Sequence, residues 1–282
     1  MERGHKVLEV GTGSGWSTAL LAVGCGEDAL VHSLDLQADL VARAQEHLSA
    51  AGLAGVHLKA GDGGLGWPEA APFDRVIVTV GCPDVPPAWV GQLGEGGVLL
   101  VPLQTGGLGN PLLRLRRSGG AASGRLTGWS GFRSLEGVYR DASQDPQEMA
   151  GDPQAERLPM QAPVEVRLPH PLDVHLTFFL RLRRPSVRGL MQAGGALGFL
   201  PILVDRERDA LFVPDPERPA VQVHGSTAAA DWLVECCAGW DAAGRPKLTN
   251  YQVELVDPSA SAVEGTWLDR RPHATLRLSV QG

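Results

Sequence analysis

A glycine-rich turn at the start of the chain constrains the fold more than any other sequence feature. Residues 7–16 read VLEVGTGSGW, an apolar run followed by glycines at alternate positions. The apolar run predicts a buried strand, and glycine allows positive φ and a close approach of the backbone to a ligand. We therefore predict a strand, turn and helix whose turn faces a bound small molecule, with a tight turn of purely structural role as the alternative.

The spacing of the glycines separates the cofactor classes. A dinucleotide fingerprint has its third glycine one position later, where this chain has Trp16. Glu9 stands two positions before the first glycine, and a carboxylate suits a ligand that carries an ammonium and a sulfonium rather than phosphates. The turn therefore favours S-adenosylmethionine over a nicotinamide or flavin cofactor.

Composition and charge narrow the class of protein. The net charge of −7 and a pI near 5.6 argue against a nucleic-acid binder. The chain has no apolar run long enough to span a membrane and no signal-peptide pattern, so we expect a cytoplasmic protein with no membrane partner. The histidine spacings match no metal-binding motif, and we predict no metal site.

The four cysteines are typical of a reducing compartment. None of them stands in a C-x-x-C pair. The adjacent Cys236 and Cys237 could in principle form a strained disulfide, but two buried thiols on a helix are the favoured interpretation.

Up to about residue 140, apolar strands alternate with helical segments, which is the pattern of a mostly parallel sheet covered by helices. The predicted strands are residues 6–10, 30–34, 56–60, 75–80 and 98–101, the predicted helices are residues 17–23 and 38–51, and a hairpin is predicted from residues 112–116 and 125–129.

The rest of the chain differs in kind. Residues 141–163 have the composition of a linker, and residues 164–282 predict a smaller α+β domain of unknown role. Within it we predict a helix over residues 227–240 and strands over residues 174–181, 200–204, 210–213, 221–223, 251–256 and 274–280. The predicted division is therefore an α/β domain over 1–140, a linker over 141–163 and an α+β domain over 164–282.

Two further acids follow predicted strands of the first domain. Ligands of open α/β sheets bind at the carboxyl ends of the strands. Asp35, twenty residues beyond Gly15, is placed to accept both hydroxyls of a ribose, and Asp62 is placed to accept from an exocyclic amine of adenine. Each acid alone reads more simply as a helix cap or a loop residue, but their joint placement favours a ligand site.

Three stretches in fixed order make the resemblance specific. Residues 7–16, residues 61–67 (GDGGLGW) and residues 71–79 (APFDRVIVT) together resemble protein-L-isoaspartate (D-aspartate) O-methyltransferases. The resemblance extends over roughly residues 4–135. It implies a Rossmann-like methyltransferase domain that uses S-adenosyl-L-methionine, followed by the smaller α+β domain.

The resemblance also implies a site, carried over position by position. The cofactor would be held by residues that follow the first three strands: Glu9, Gly11, Thr12, Gly13, Gly15, Asp35, Leu36, Asp62 and Gly63. Thr79, the candidate catalytic residue, and the loop of residues 104–109 would face the methyl acceptor.

The implied reaction is carboxyl O-methylation of isoaspartyl residues in damaged proteins or peptides. A carboxylate is already a nucleophile at neutral pH, so the chemistry needs no general base. The alternatives are a maturation enzyme that methylates an aspartate of a ribosomal precursor peptide, and a homologue that binds the cofactor but is catalytically impaired. The implied partner is a protein or peptide substrate, and the sequence predicts no oligomeric state.

The chain departs from the family pattern at both ends. Family members carry a longer segment before the glycine turn, including a stretch with Ser or Thr that contacts the substrate, whereas only six residues precede Val7 here. We therefore expect an N-terminally truncated member with a C-terminal extension, whose cofactor half is present and whose methyl transfer is weak.

Overall fold

A computed structural model describes residues 2–26, 30–53, 55–106, 109–141, 163–193, 199–205, 210–215 and 217–281. Its strands are β1 Lys6–Val10, β2 Leu30–Asp35, β3 His57–Ala60, β4 Phe73–Val78, β5 Leu93–Pro102, β6 Asn110–Ser118, β7 Ala121–Ser130, β8 Val164–Arg167, β9 Val187–Ala193, β10 Phe199–Asp205, β11 Ala210–Pro214, β12 Ala220–His224, β13 Tyr251–Val256, β14 Thr266–Arg270 and β15 Thr275–Val280. Its α-helices are α1 Trp16–Cys25, α2 Ala38–Ala50, α3 Pro87–Gly91, α4 Val174–Arg183 and α5 Thr227–Ala242. Short 3-10 turns cover Gly63–Leu65, Pro68–Ala70 and Leu248–Asn250.

The larger sheet carries the candidate site. Its ten strands lie in the order β14-β15-β13-β7-β6-β5-β4-β1-β2-β3. Strands β1 to β5 pair in parallel, and β6 and β7 continue the sheet as the predicted antiparallel hairpin. The parallel strands are apolar because helices cover them; in β1, for example, Val7, Leu8 and Val10 are buried. Because β1, β2, β3 and β4 run in parallel, their carboxyl ends meet at one edge of the sheet.

The smaller sheet has five antiparallel strands in the order β8-β12-β11-β10-β9. Its core is shared with α4 and α5, where Phe179 and Leu233 are fully buried. Cys236 and Cys237 lie in α5 as free, buried thiols, which confirms their interpretation as core residues.

Strands β13 and β15 extend the larger sheet rather than the smaller one, because β13 pairs antiparallel with β7. A segment of the C-terminal part thus adds backbone hydrogen bonds to the sheet of the N-terminal part. The division at residues 1–140, 141–163 and 164–282 stays a prediction, and most of the predicted linker lies outside the described residues.

One predicted element is wrong in type. Residues 174–181, predicted as a strand, belong to α4. Asp173 caps this helix: one carboxylate oxygen accepts the backbone N–H of His175 at 2.9 Å and of Leu176 at 2.8 Å. A buried face that includes Leu176 and Phe179 then packs against the smaller sheet, and this packing overrides the strand preference of the local aromatic and β-branched residues.

Candidate functional site

The glycine turn between β1 and α1 is held against the end of β2. Gly11, Gly13 and Gly15 have φ values of 101°, 52° and 82°, a region that L side chains rarely adopt. The backbone N–H groups of Gly11 and Thr12 both donate to the carbonyl oxygen of Leu34, at 2.9 and 3.2 Å. The observed backbone thus favours glycine at all three positions, as the sequence predicts.

Glu9 is fully buried beneath this turn. Its Oε2 accepts hydrogen bonds from the hydroxyls of Thr18 at 2.5 Å and Ser33 at 2.7 Å, while Oε1 is buried with no partner among the described residues. Burial raises the pKa of Glu9, although the hydroxyl hydrogen bonds oppose this shift. Glu9 therefore links β1 to α1 and to β2 through hydrogen bonds below the turn.

Asp35 stands at the end of β2, beside the turn. Its Oδ2 accepts the backbone N–H of Gly13 at 2.9 Å, and its Oδ1 accepts that of Gln37 at 3.1 Å. Each carboxylate oxygen has room for a second donor. The acid therefore fixes the turn and still presents acceptor capacity.

Asp62 connects the turn after β3 to residues 131–138, which we call the covering segment. Its Oδ1 accepts the N–H of Gly64 at 2.9 Å and its Oδ2 accepts that of Val138 at 2.7 Å. Gly137, with φ of 100°, lies so close to this carboxylate that a Cβ there would fall 2.3 Å from Oδ2. Asp62 therefore holds the C-terminal end of the covering segment by a hydrogen bond.

The middle of the covering segment is hydrogen-bonded to the loop after β4. The N–H of Gly81 donates to the carbonyl oxygen of Arg133 at 2.7 Å, and the N–H of Leu135 donates to that of Gly81 at 2.8 Å. Nε2 of Gln104 also donates to the hydroxyl of Ser134 at 2.7 Å. These contacts hold the segment across the carboxyl ends of the parallel strands.

Thr79 follows β4 and faces the glycine turn. Its hydroxyl donates to the carbonyl oxygens of Val10, at 3.0 Å, and Gly11, at 2.7 Å. A Cβ on Gly11 would lie 2.7 Å from this hydroxyl oxygen. Thr79 therefore positions the turn, and only a residue without a side chain fits opposite it.

Between the glycine turn and the covering segment lies a cavity of about 520 Å³, a size that suits a small-molecule ligand. Of the predicted site residues, those that line it are Gly11, Gly13, Asp35, Leu36, Gly63 and Thr79. Glu9, Thr12, Gly15 and Asp62 are not among its lining residues and instead support the turns that form its walls. The opposite wall, residues 131–136, was not predicted, because the segment has no helix or strand periodicity and its local signals are the flanking Gly131 and Gly137.

The chemistry of the lining suits a neutral or cationic ligand with hydroxyl or amine donors better than a phosphate. Asp35 and Glu136 supply carboxylates to the lining and Arg133 supplies one cation.

Within the described residues, no cluster of three or more His, Cys, Asp and Glu side chains is arranged to hold a metal ion. No described helix has both the length and the apolar character needed to cross a bilayer.

Comparison with known proteins confirms the resemblance drawn from the motifs. Residues 1–126 match the family model described as protein-L-isoaspartate(D-aspartate) O-methyltransferase. A protein-L-isoaspartate O-methyltransferase of Anaeromyxobacter dehalogenans is 54% identical over 104 residues, which are 36% of this chain and 48% of that protein. One from Pyrococcus abyssi is 40% identical over 140 residues, which are 49% of this chain and 64% of that protein. The chain thus spans about half the length of most of the curated relatives it matches.

A solved structure named protein-L-isoaspartate O-methyltransferase shares the fold. It superposes with a TM-score of 0.52 at 21% identity, covering 90% of this chain and 73% of that one. The predicted α/β, Rossmann-like fold is confirmed.

Proposed function

We propose that this chain binds S-adenosyl-L-methionine in the cavity at the glycine turn and methylates the carboxylate of isoaspartyl residues in proteins or peptides. The observation that carries the proposal is the match of residues 1–126 to the isoaspartyl methyltransferase family model, which covers the glycine turn, Asp35 and Asp62. Those same segments form or support the walls of the cavity.

The cavity fits the proposed cofactor in shape and in chemistry. Gly11 and Gly63 form a cradle, a part of the cavity wall in which a side chain has no room: a Cβ on Gly11 would lie 2.7 Å from the hydroxyl oxygen of Thr79, and a Cβ on Gly63 would lie 2.6 Å from Cγ1 of Val10. Asp35 offers free acceptor capacity to the two ribose hydroxyls. Asp62 and Gly63 remain our candidates for the adenine, with each oxygen of Asp62 keeping one lone pair beyond its hydrogen bond to a backbone N–H.

When bound, S-adenosylmethionine supplies a methyl group activated by the positive charge on sulfur. The acceptor carboxylate is ionised at neutral pH, so no side chain of this protein has to remove a proton. The residues act by alignment and by excluding water. Thr79 fixes the turn that carries the cradle, and the covering segment shields the cavity from the opposite side. A direct contact of Thr79 with the acceptor is part of the proposal.

The proposed setting is a reducing cytoplasm. Its support is the set of four cysteines, all buried and unbridged.

Methyl transfer to matched peptides tests the proposed activity. Labelled S-adenosylmethionine is supplied with an isoaspartyl peptide and with the same peptide carrying normal aspartate. We expect base-labile label in the isoaspartyl peptide alone, at a slow rate. Label in the aspartyl peptide alone would instead favour a maturation enzyme, and cofactor binding without label in either peptide would favour an impaired homologue.

A further inference from the structure

One arginine of the C-terminal part binds the loops that follow β4 and β5. Arg271 lies in the turn between β14 and β15, and its side chain is only 8% exposed. Its Nη1 donates to the carbonyl oxygen of Pro83 at 2.6 Å and to that of Gln104 at 3.1 Å. Arg271 therefore links two loops that lie 188 and 167 positions earlier in the chain.

The other side of this guanidinium is held by Asp269. Nε and Nη2 of Arg271 both donate to Oδ2 of Asp269, at 3.0 and 2.7 Å. The carboxylate offsets the charge of the buried cation and fixes the orientation of the planar guanidinium. The two N–H bonds of Nη1 are thereby directed at the two loop carbonyls.

A second contact joins the same turn to the loop after β4. The backbone N–H of His273 donates to Oδ2 of Asp84 at 2.6 Å, and Oδ1 of Asp84 accepts the N–H of Val85 at 2.7 Å. Asp84 is buried, so its oxygens depend on donors of this kind. The turn after β14 thus holds the loop after β4 at two successive residues, Pro83 and Asp84.

The two loops are bonded to each other and lead to the proposed cofactor cavity. The N–H of Cys82 donates to the carbonyl oxygen of the last residue of β5 at 2.8 Å, and the N–H of Gln104 donates to that of Cys82 at 2.6 Å. The side chain of Gln104 then donates to Ser134, which lines the cavity together with Thr79 of the loop after β4. Gln104 also opens the loop that we predict to face the methyl acceptor.

We propose that Arg271 is a positioning residue for methyl transfer, which holds the loops after β4 and β5 against each other and so sets the acceptor side of the reaction site. Transfer between two bound groups depends steeply on their alignment, and a displacement of about 1 Å can cost on the order of 100-fold in rate. The inference rests on the proposed function for its effect on rate. It gives the C-terminal strands β13 to β15 a role at the reaction site.

Hydrogen exchange tests the link between the loops without any methyl transfer. We compare the wild type, Arg271→Met and Arg184→Met. Arg184 is the matched control because its side chain is similarly buried, 12% exposed, and its Nη1 binds Asp205 of the smaller sheet at 2.7 Å. We expect the backbone amides of Cys82 and Gln104 to exchange at least about tenfold faster in Arg271→Met alone. Exchange at these amides that Arg271→Met leaves unchanged would overturn the link.

Steady-state kinetics with an isoaspartyl peptide, well below the Tm of each protein, tests the effect on the reaction. We expect the kcat of Arg271→Met to fall at least about tenfold. The Kd for S-adenosylhomocysteine should stay within about threefold of the wild-type value, because the proposed cofactor contacts at Asp35 and Asp62 are left in place. Arg184→Met should keep the wild-type kcat even where its Tm is lower.

Two results of the kinetic comparison would count against the proposals separately. A lowered Tm with a wild-type kcat in Arg271→Met would make Arg271 a purely structural residue and overturn its positioning role. No methyl transfer by the wild type would overturn the proposed function and with it the effect on rate, while faster exchange in Arg271→Met alone would still support the link between the loops.

A conservative variant covers the case in which Arg271→Met does not fold. Arg271→Lys keeps the charge but loses the planar set of donors that binds Asp269 and both carbonyls at once. We expect its kcat to lie below that of the wild type, with faster exchange at Cys82 and Gln104. A kcat and exchange rates identical to those of the wild type would contradict positioning through the guanidinium.

Discussion

The carboxylate of Asp62 accepts the backbone N–H of Val138 over 2.7 Å, joining the turn after β3 to the covering segment. This contact between residues 76 positions apart in sequence connects the turn that contains Gly63 to the covering segment, and both supply residues to the cavity lining. The same acid is the proposed acceptor for adenine, so we propose that it combines this structural role with a binding role.

Asp62→Asn tests this double role. An amide cannot accept through both of its terminal atoms, so we expect the covering segment to loosen and the Kd for S-adenosylhomocysteine to rise at least about tenfold. Titration calorimetry measures the change. Asp215→Asn is a matched control, because Asp215 also accepts two backbone N–H groups, at 2.9 and 3.0 Å, but these belong to Glu217 and Arg218 of its own turn and not to the covering segment. Equal affinities in both variants would contradict the role of Asp62.

Glu9 predicts a pH dependence of stability. Its folded pKa is raised above the ordinary value of 4.5, so the native state binds more protons than the unfolded state between those two values. Its contribution to the free energy of unfolding is therefore present at low pH and is lost as pH rises through the folded pKa. For one proton the slope is at most about 1.4 kcal/mol per pH unit.

Glu9→Gln should remove that slope. We expect the difference in the free energy of unfolding between wild type and variant to fall with rising pH in denaturant titrations. Glu254→Gln, at a carboxylate 57% exposed, is the control. A difference that stays flat from about pH 5 to about pH 8 would show that Glu9 titrates as an ordinary acid.

Gly63→Ala tests the cradle. The new Cβ would lie 2.6 Å from Cγ1 of Val10, inside the wall shared by β1 and the cavity. We expect a loss of about 1–3 kcal/mol in the free energy of unfolding and weaker binding of S-adenosylhomocysteine. At Gly128 in β7 a Cβ meets nothing within 4 Å, so Gly128→Ala controls for the backbone effect of alanine. Similar losses in the two variants would contradict the cradle.

Tyr251→Phe tests the packing around β13, a strand of the larger sheet. Tyr251 is fully buried, its hydroxyl has no hydrogen-bond partner in the described part of the chain, and burial raises the pKa of this phenol. Removal of an unsatisfied hydroxyl should increase the free energy of unfolding by about 1 kcal/mol, measured by denaturant titration. A clear loss of stability would mean that the hydroxyl has a partner in solution.

Local patterns were sufficient for the parallel strands and for the turns that carry the site. The apolar run before Gly11 predicts β1, and Asp35 and Asp62 mark the carboxyl ends of β2 and β3. Because the carboxyl ends of parallel strands meet at one sheet edge, these acids lie at the same edge as the glycine turn.

The β5 strand is longer than predicted, Leu93–Pro102 instead of residues 98–101. Leu93 pairs with Phe73 before its glycines and Val98 pairs with Arg75 after them, so residues 94–97 form an irregularity within the strand rather than a turn before it.

Long-range pairing was not predictable in the same way. The pairing of β13 with β7 and the position of the covering segment depend on contacts between residues more than seventy positions apart, which no local period encodes. Helix α4 was missed because its cap, Asp173, and its buried face were outweighed by the strand preference of Phe178 and Phe179.

Titration of the intact 282-residue chain with S-adenosylhomocysteine tests the central claim most directly. We predict saturable heat with one site per chain, and a Kd at least about tenfold higher for Asp35→Ala, which loses the proposed acceptor for the ribose hydroxyls. Absence of binding to the wild type, or an affinity that Asp35→Ala leaves unchanged, would contradict the cofactor site at the glycine turn.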